Sequence, residues 1–243
     1  MVRVRVLPRE VHEQVAGTDE LQRLARGDVL DLAMYGTALL GTVVRAARAA
    51  GATRVELAVD GAGDVHEGMA RVNGLTLDRE ILQLRCDLPR PDPWSLDVRP
   101  FEVGRDDDAW LVVNNRAFAW HPDQSDWGRS HLAEREAEDW FDPAGFLLHE
   151  RDGRLAGFCW TKVHSDERPA LGEIYVIGVD PDFQGLGLGR ALVLAGLASL
   201  TDRGLHQGIL YVESDNTTAI ALYEQLGFER NAANRWWSID LSA

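Results

Sequence analysis

The chain has 243 residues, 45% of them apolar and 8% aromatic, enough for one large or two small packed domains. Its net charge of −14, with no long basic run, argues against nucleic acid or an anionic membrane surface as a partner, and fits solubility or a cationic substrate. Only two cysteines occur, Cys86 and Cys159, outside any Cys-x-x-Cys pair, so a disulfide framework is not supported; no apolar stretch reaches membrane-spanning length, and a reducing cytoplasm is expected.

The chain begins MVRVRVLPRE, which alternates like a strand and lacks the apolar core of a secretory signal. Sliding the chain against itself by 153 residues lays 36–88 on 189–241 without a gap, with nine identical positions. Among them are Gly36/Gly189, Gly51/Gly204, Leu57/Leu210, Val59/Val212 and Gly74/Gly227. Nine identities alone could be chance, but glycines and apolar positions match across helix, strand, helix and hairpin patterns. We read two copies of one α/β half-module.

The copies differ where chemistry would sit. Gln184 faces Asp31, Gly185 faces Leu32 and Gly187 faces Met34, while Tyr211 and Tyr223 face Ala58 and Ala70. The first copy, residues 1–88, is expected to be a truncated, degenerate module without catalysis. Residues 89–95, PRPDPWS, read as a proline-rich extended linker. The second module, 96–243, is expected to hold the site.

Within the second module, Ser95–Phe101 reads as a strand, Arg105–Ala119 and Ser130–Trp140 as helices, and 145–150 with 154–163 as a hairpin turning at Asp152-Gly153. The apolar run Ile174–Val179 is a strand, followed by Asp180-Pro181 and a glycine-rich loop, Gln184-Gly185-Leu186-Gly187-Leu188-Gly189. Arg190 opens a helical pattern running to Arg203. Gln207–Glu213 reads as a strand, Asn216–Leu226 as a helix, and Phe228–Leu241 as a closing hairpin around Asn231. Of the adjacent Trp236 and Trp237, alternation sends one to the core and one to solvent.

Loop glycines let the backbone approach a ligand, and the free amides and dipole of the following helix favour an anion, so the loop reads as a pyrophosphate cradle. It has no Gly-Lys-Ser/Thr, which sets it apart from a P-loop, and its glycine spacing is not that of the dinucleotide fingerprint. Glu173 opens a strand with five apolar residues in the next six, where a carboxylate needs a reason. Proton acceptance is one reason; a solvated strand end is the other. Cys159, in the apolar run GFCW, reads as a buried hydrophobe. His121 and His164 have no metal-like spacing, and no metal is expected.

The loop Gln184-x-x-Gly187-x-Gly189, with Asn216-x-x-Ala219-x-x-x-Tyr223-x-x-x-Gly227-Phe228 at the expected distance, resembles the GNAT acetyltransferases. Strand, two helices, hairpin, strand, helix, strand, helix, strand is the order of that fold. The expected class is α/β (α+β): two GNAT-type modules, each a mixed, mostly antiparallel sheet flanked by helices, the first truncated. The segments VNNRAFAWHPDQ, WFDP, TKVH, GEIYVIGVDP and LYVESDN are similar, more closely, to the mycothiol synthase family of tandem GNAT enzymes.

That resemblance implies an N-acetyltransferase moving acetyl from acetyl-CoA to the cysteinyl amine of a cysteine–glucosamine–inositol conjugate. It implies that Glu173 is the base and a substrate ligand, and that Tyr223 is the acid for the thiolate. Lys162, Tyr211 and Asp123 would contact the sugar–inositol part; the family often has Glu at the last. Ile177, Gly178 and Val179, with Gln184, Gly185, Leu186, Gly187, Leu188, Gly189 and Arg190, would hold acetyl-CoA, and Asn216 would cap its helix and touch CoA. On spacing alone Lys162 is an ordinary strand-edge lysine, and Tyr211 could be plain core. The partner implied is a small-molecule thiol precursor, with the protein a monomer. Two other readings remain: a GNAT acting on another α-amine such as a peptide N-terminus, and a CoA-binding module without turnover.

Overall fold

The computed structural model describes residues 2–7, 30–31, 36–121 and 124–242. Leu32, Met34, Pro122 and Asp123 lie outside the described residues. Two compact units are present. One is built from residues 1–83, 212–220 and 230–243, the other from 84–211 and 221–229.

The first unit carries strands β1 (Val2–Leu7), β2 (Leu30–Asp31) and β3 (Arg54–Val59), with helices α1 (Gly36–Ala49) and α2 (Asp64–Val72). β1 pairs antiparallel with β2 and β3. Alternation decides the inward face of β3: Val55, Leu57 and Val59 are buried, while Arg54, Glu56 and Ala58 are partly exposed. Leu40, Val43 and Ala47 of α1 and Met69 and Ala70 of α2 close over that face.

Strand β4 spans Thr76–Asp87, and β10, the last strand, spans Glu229–Asp240. β10 is one continuous strand; the expected hairpin around Asn231 does not form. From Arg235 to Asp240 it pairs antiparallel with β3, which keeps the chain extended, and Asn231 donates from Nδ2 to Gln83 Oε1 at 2.6 Å. Thus the strand that ends the second copy of the repeat completes the sheet of the first unit. Trp237 is its anchor, 1% exposed in the first core, with its Nε1 donating to Glu67 Oε2 at 3.3 Å. Trp236 is half-buried under the Arg79 guanidinium, so the two tryptophans split as alternation requires.

The repeat is reproduced residue for residue. Shifted by 153, α1 ends and α2, β4 and their counterparts begin and end in register with α5 (Leu188–Asp202), α6 (Thr217–Gln225) and β10. Gly51 and Gly204, after the first helix of each copy, have φ of 74° and 79°. Gly74 and Gly227, after the second, have 77° and 76°. Each identity marks a left-handed helix terminus that a side chain would strain.

The second unit orders its strands β9 (Gln207–Glu213, through Tyr211 in this unit), β8 (Leu171–Val179), β7 (Arg154–His164), β6 (Phe146–Arg151) and β5 (Arg99–Pro100). β5 to β8 are antiparallel, and β9 runs parallel to β8. The β6–β7 turn is the two-residue type expected: Asp152 and Gly153 both have positive φ, 53° and 71°. Helices α3 (Asp107–Ala117) and α4 (Arg129–Glu136) precede the hairpin.

Two further elements are shorter than expected. β5 is only Arg99–Pro100, because proline cannot donate to the ladder and the strand lies at an edge. α4 stops at Glu136 because Trp140 and Phe141 turn into an aromatic core, where both rings lie 5.8 Å from Trp160. In that core Phe146 stacks on Phe101 and Trp160 at 4.3 Å each, and Trp110 meets Phe146, Phe158 and Trp160 edge-on. On the other face α5 lies close to the sheet. A Cβ on Gly196 would stand 2.5 Å from Cys159 Sγ, and one on Gly172 would stand 2.8 Å from Leu200.

Candidate active site

The site is built on the end of β8. Pairing of β8 with β9 runs Gly172↔Gly208, Glu173↔Ile209 and Ile174↔Leu210, and goes no further among the described residues. β8 continues to Val179 against β7 alone, with a bulge at Tyr175. Asp180 N–H donates to Ala156 O at 2.9 Å, which makes that pair hydrogen-bonded. Antiparallel ladders alternate, so Gly178 and Phe158 form the next such pair. The amides of Ile177 and Val179 therefore point away from β7, to the side that β9 has left. These are oriented donors at a strand edge. Gly178 turns its other face to the aromatic core, where a Cβ would meet Phe158 at 2.8 Å.

Past β8 the chain is held by charge. Asp180 is buried, with Arg116 Nε 3.1 Å from its carboxylate, and its Oδ1 accepts from the Asp182 amide at 2.9 Å. Arg154 and Arg116 bind Asp182 at 2.7 and 2.9 Å and hold its carboxyl below the usual range. The loop that follows is exposed from Gln184 to Gly187. Gly185 and Gly187 both have φ of 76°, and a Cβ on either would touch nothing within 4 Å. Their requirement is conformational; it does not come from lack of room. Gly187 is the N-cap of α5 and no side chain caps that end, so the first-turn amides of Leu188, Gly189 and Arg190 have no partner within the helix. Arg190 adds a positive side chain at that end, 2.7 Å from Asp92. A phosphate group suits this cradle.

Tyr223, on α6, is 8% exposed with its ring edge-on to Phe228. Burial pushes its phenol well above the usual tyrosine range, with the neighbouring Cys159 adding to the effect, so it holds its proton. Asn216 caps α6 as expected, its Oδ1 accepting from the Ala219 amide at 3.2 Å.

Glu173 is 6% exposed, which removes the solvated strand-end reading. Its partner is one the sequence did not supply: His164 Nε2 lies 2.6 Å from Glu173 Oε2. Lys162 stands directly opposite Glu173 in the β7–β8 register, yet its ammonium lies over the rings of Trp140 and Tyr175, at 4.5 and 5.7 Å. Each such cation–π contact contributes about 0.5–1 kcal/mol or more where water is excluded. Burial raises the Tyr175 phenol, and the Glu173 charge adds to the rise. Tyr211 is 43% exposed and is not core. Paired residues of parallel strands share a face, so Tyr211, two beyond Ile209, lies on the same face as Glu173.

The structure thus brings Glu173, Lys162 and Tyr211 to one face, beside a strand edge offering amides. His164, Trp140 and Tyr175 were missed as members. Their only signal was their place in TKVH, WFDP and GEIYV, the segments that carried the resemblance. Cys159 and Cys86 are buried free thiols, raised by burial to about 12 and about 11, and Cys159 packs as the hydrophobe expected.

Residues 114–228 match the profile of the Acetyltransferase (GNAT) family. The fold agrees: a GCN5-related N-acetyltransferase from Sphaerobacter thermophilus superposes with a TM-score of 0.67 at 18% identity, covering 88% of this chain and 71% of that one. A mycothiol acetyltransferase from Thermomonospora curvata is 52% identical over 207 residues, 82% of this chain and 67% of the relative. One from Streptomyces coelicolor is 46% identical over 223 residues, 89% of this chain and 72% of the relative. The chain belongs to the mycothiol acetyltransferase family of GNAT proteins.

Proposed function

We propose that this chain transfers the acetyl group of acetyl-CoA to the cysteinyl amine of a cysteine–glucosamine–inositol conjugate, completing mycothiol. Acetyl-CoA, when bound, supplies an activated acetyl thioester. The amides at Leu188, Gly189 and Arg190, with the loop Gln184–Gly187, receive its pyrophosphate. The amides of Ile177 and Val179 face the carbonyl oxygen and stabilise the negative charge that develops there. Glu173 takes the proton of the attacking amine, and Tyr223, kept neutral by burial, donates to the departing sulfur. Lys162, held over two rings, and Tyr211 hold the sugar–inositol part. A reducing cytoplasm keeps the acceptor thiol free.

The observation that carries this reading is the buried carboxylate of Glu173, on the face it shares with Lys162 and Tyr211, where β8 and β9 stop pairing. The test is turnover of acetyl-CoA with the cysteinyl conjugate or with peptides bearing free N-termini, reading the N-acetyl product by mass. Acetylation of the conjugate is expected, and acetylation of peptides alone would overturn the acceptor assignment. Glu173→Gln should lower kcat by roughly 10²–10⁴-fold and leave acetyl-CoA affinity unchanged.

A further inference from the structure

We infer that His164 is a relay residue: it drains the proton that Glu173 collects and delivers it to water. The inference rests on the reading above for the role of Glu173. Acetylation takes an ammonium to an amide, so the nitrogen gives up two protons while a C–N bond forms and a C–S bond breaks. The electron pair of that bond leaves on sulfur. One proton ends on that sulfur, through Tyr223. The other must reach solvent, and Glu173 holds it in a site that water barely enters.

The Glu173 side chain is 8% exposed, and that of His164 is 25% exposed, 2.6 Å away. The contact is diagonal. Glu173 faces Lys162 across the ladder, and His164 lies two residues further along β7 on the same face. His164 therefore occupies Oε2 from the solvent side and leaves Oε1 for the amine. The cation that register would place against the carboxylate is instead held over Trp140 and Tyr175. Among the described residues, Arg135 of α4 and Glu138 just beyond it also act on Tyr175. As the amine's proton arrives on Oε1, the proton shared across the 2.6 Å contact moves from Oε2 fully onto Nε2, and Nδ1–H releases one to water, so one proton enters the pair and one leaves it.

The test uses the full chain as wild type, His164→Ala, His164→Gln and Glu173→Gln. His164→Ala should lower kcat by roughly 10²-fold, the scale of one proton-transfer partner, with acetyl-CoA affinity by calorimetry unchanged. Added imidazole should restore kcat in proportion to its concentration. His164→Gln can hydrogen-bond but cannot carry a proton, so it should stay as slow as alanine. Wild-type rates in His164→Ala or in His164→Gln, or no response to imidazole, would overturn the relay. A second readout needs no acceptor: the imidazole N–H resonance of His164, protected by its carboxylate partner, should be seen in wild type and lost in Glu173→Gln. Its absence from wild type overturns the pairing. Wild type that shows the resonance but leaves the conjugate unacetylated instead refutes the acceptor proposed above.

Discussion

Gly185 isolates what the glycine-rich loop needs. It has φ of 76°, and a Cβ there would meet nothing within 4 Å, so replacing it leaves sterics unchanged and charges only the backbone. Holding an L-residue in the left-handed region costs about 1–2 kcal/mol. The loop is exposed and can relax without ligand, so the cost falls on binding. At ~1.4 kcal/mol per decade, Gly185→Ala should weaken acetyl-CoA by about 5- to 30-fold in calorimetry. Asparagine is larger than alanine but tolerates this conformation better. Gly185→Asn should therefore lose less affinity than Gly185→Ala. If room were the issue the order would reverse, and an asparagine variant weaker than alanine would refute the conformational argument. So would an alanine variant with both affinity and melting temperature at wild-type values.

Tyr223→Phe should lower kcat roughly 10–10²-fold with acetyl-CoA affinity retained, and the wild-type rate should show no loss from phenol ionisation at or below the ordinary tyrosine range of about 10; a limb there that vanishes in the variant would contradict the burial of Tyr223. The two thiols hold their protons to about 11 and about 12 when folded, whereas an unfolded thiol ionises near 8.5. Their stabilisation is therefore complete below that unfolded value and is lost as pH rises, at about 1.4 kcal/mol per pH unit for each. Urea melts from about pH 8 to 11 should show this decline, and a Cys86→Ala/Cys159→Ala double variant should flatten it. Gly196→Ala forces a carbon to 2.5 Å from Cys159 Sγ and 2.7 Å from Ile174 Cδ1, so overpacking of about 1–3 kcal/mol is expected as a lowered melting temperature. Trp237→Ala should cost about 3–5 kcal/mol in the same measurement, as a buried tryptophan is lost from the first core.

The repeat was legible because glycine and apolar periodicity are local. Gly51, Gly74, Gly204 and Gly227 each mark a helix terminus that only a left-handed residue completes, and the Asp152-Gly153 turn is fixed by its own dihedrals. The left-handed turns at Gly185 and Gly187 were legible for the same reason. What stayed hidden depends on partners far along the chain. The His164–Glu173 contact follows from hairpin register together with the bulge at Tyr175, and residue types do not set the position of a bulge. Trp140 read as the end of a helix because its ring partners, Trp160 and Tyr175, lie on other elements. The straight course of β10 was missed for a like reason: its partner is β3, more than a hundred residues earlier.

That partnership has a consequence for synthesis. At roughly 5–20 residues per second, β10 leaves the ribosome on the order of ten to thirty seconds after β3. Until then one flank of β3 waits unpaired, a tacky edge on a growing polypeptide. Chaperone attendance during translation would matter most in that interval.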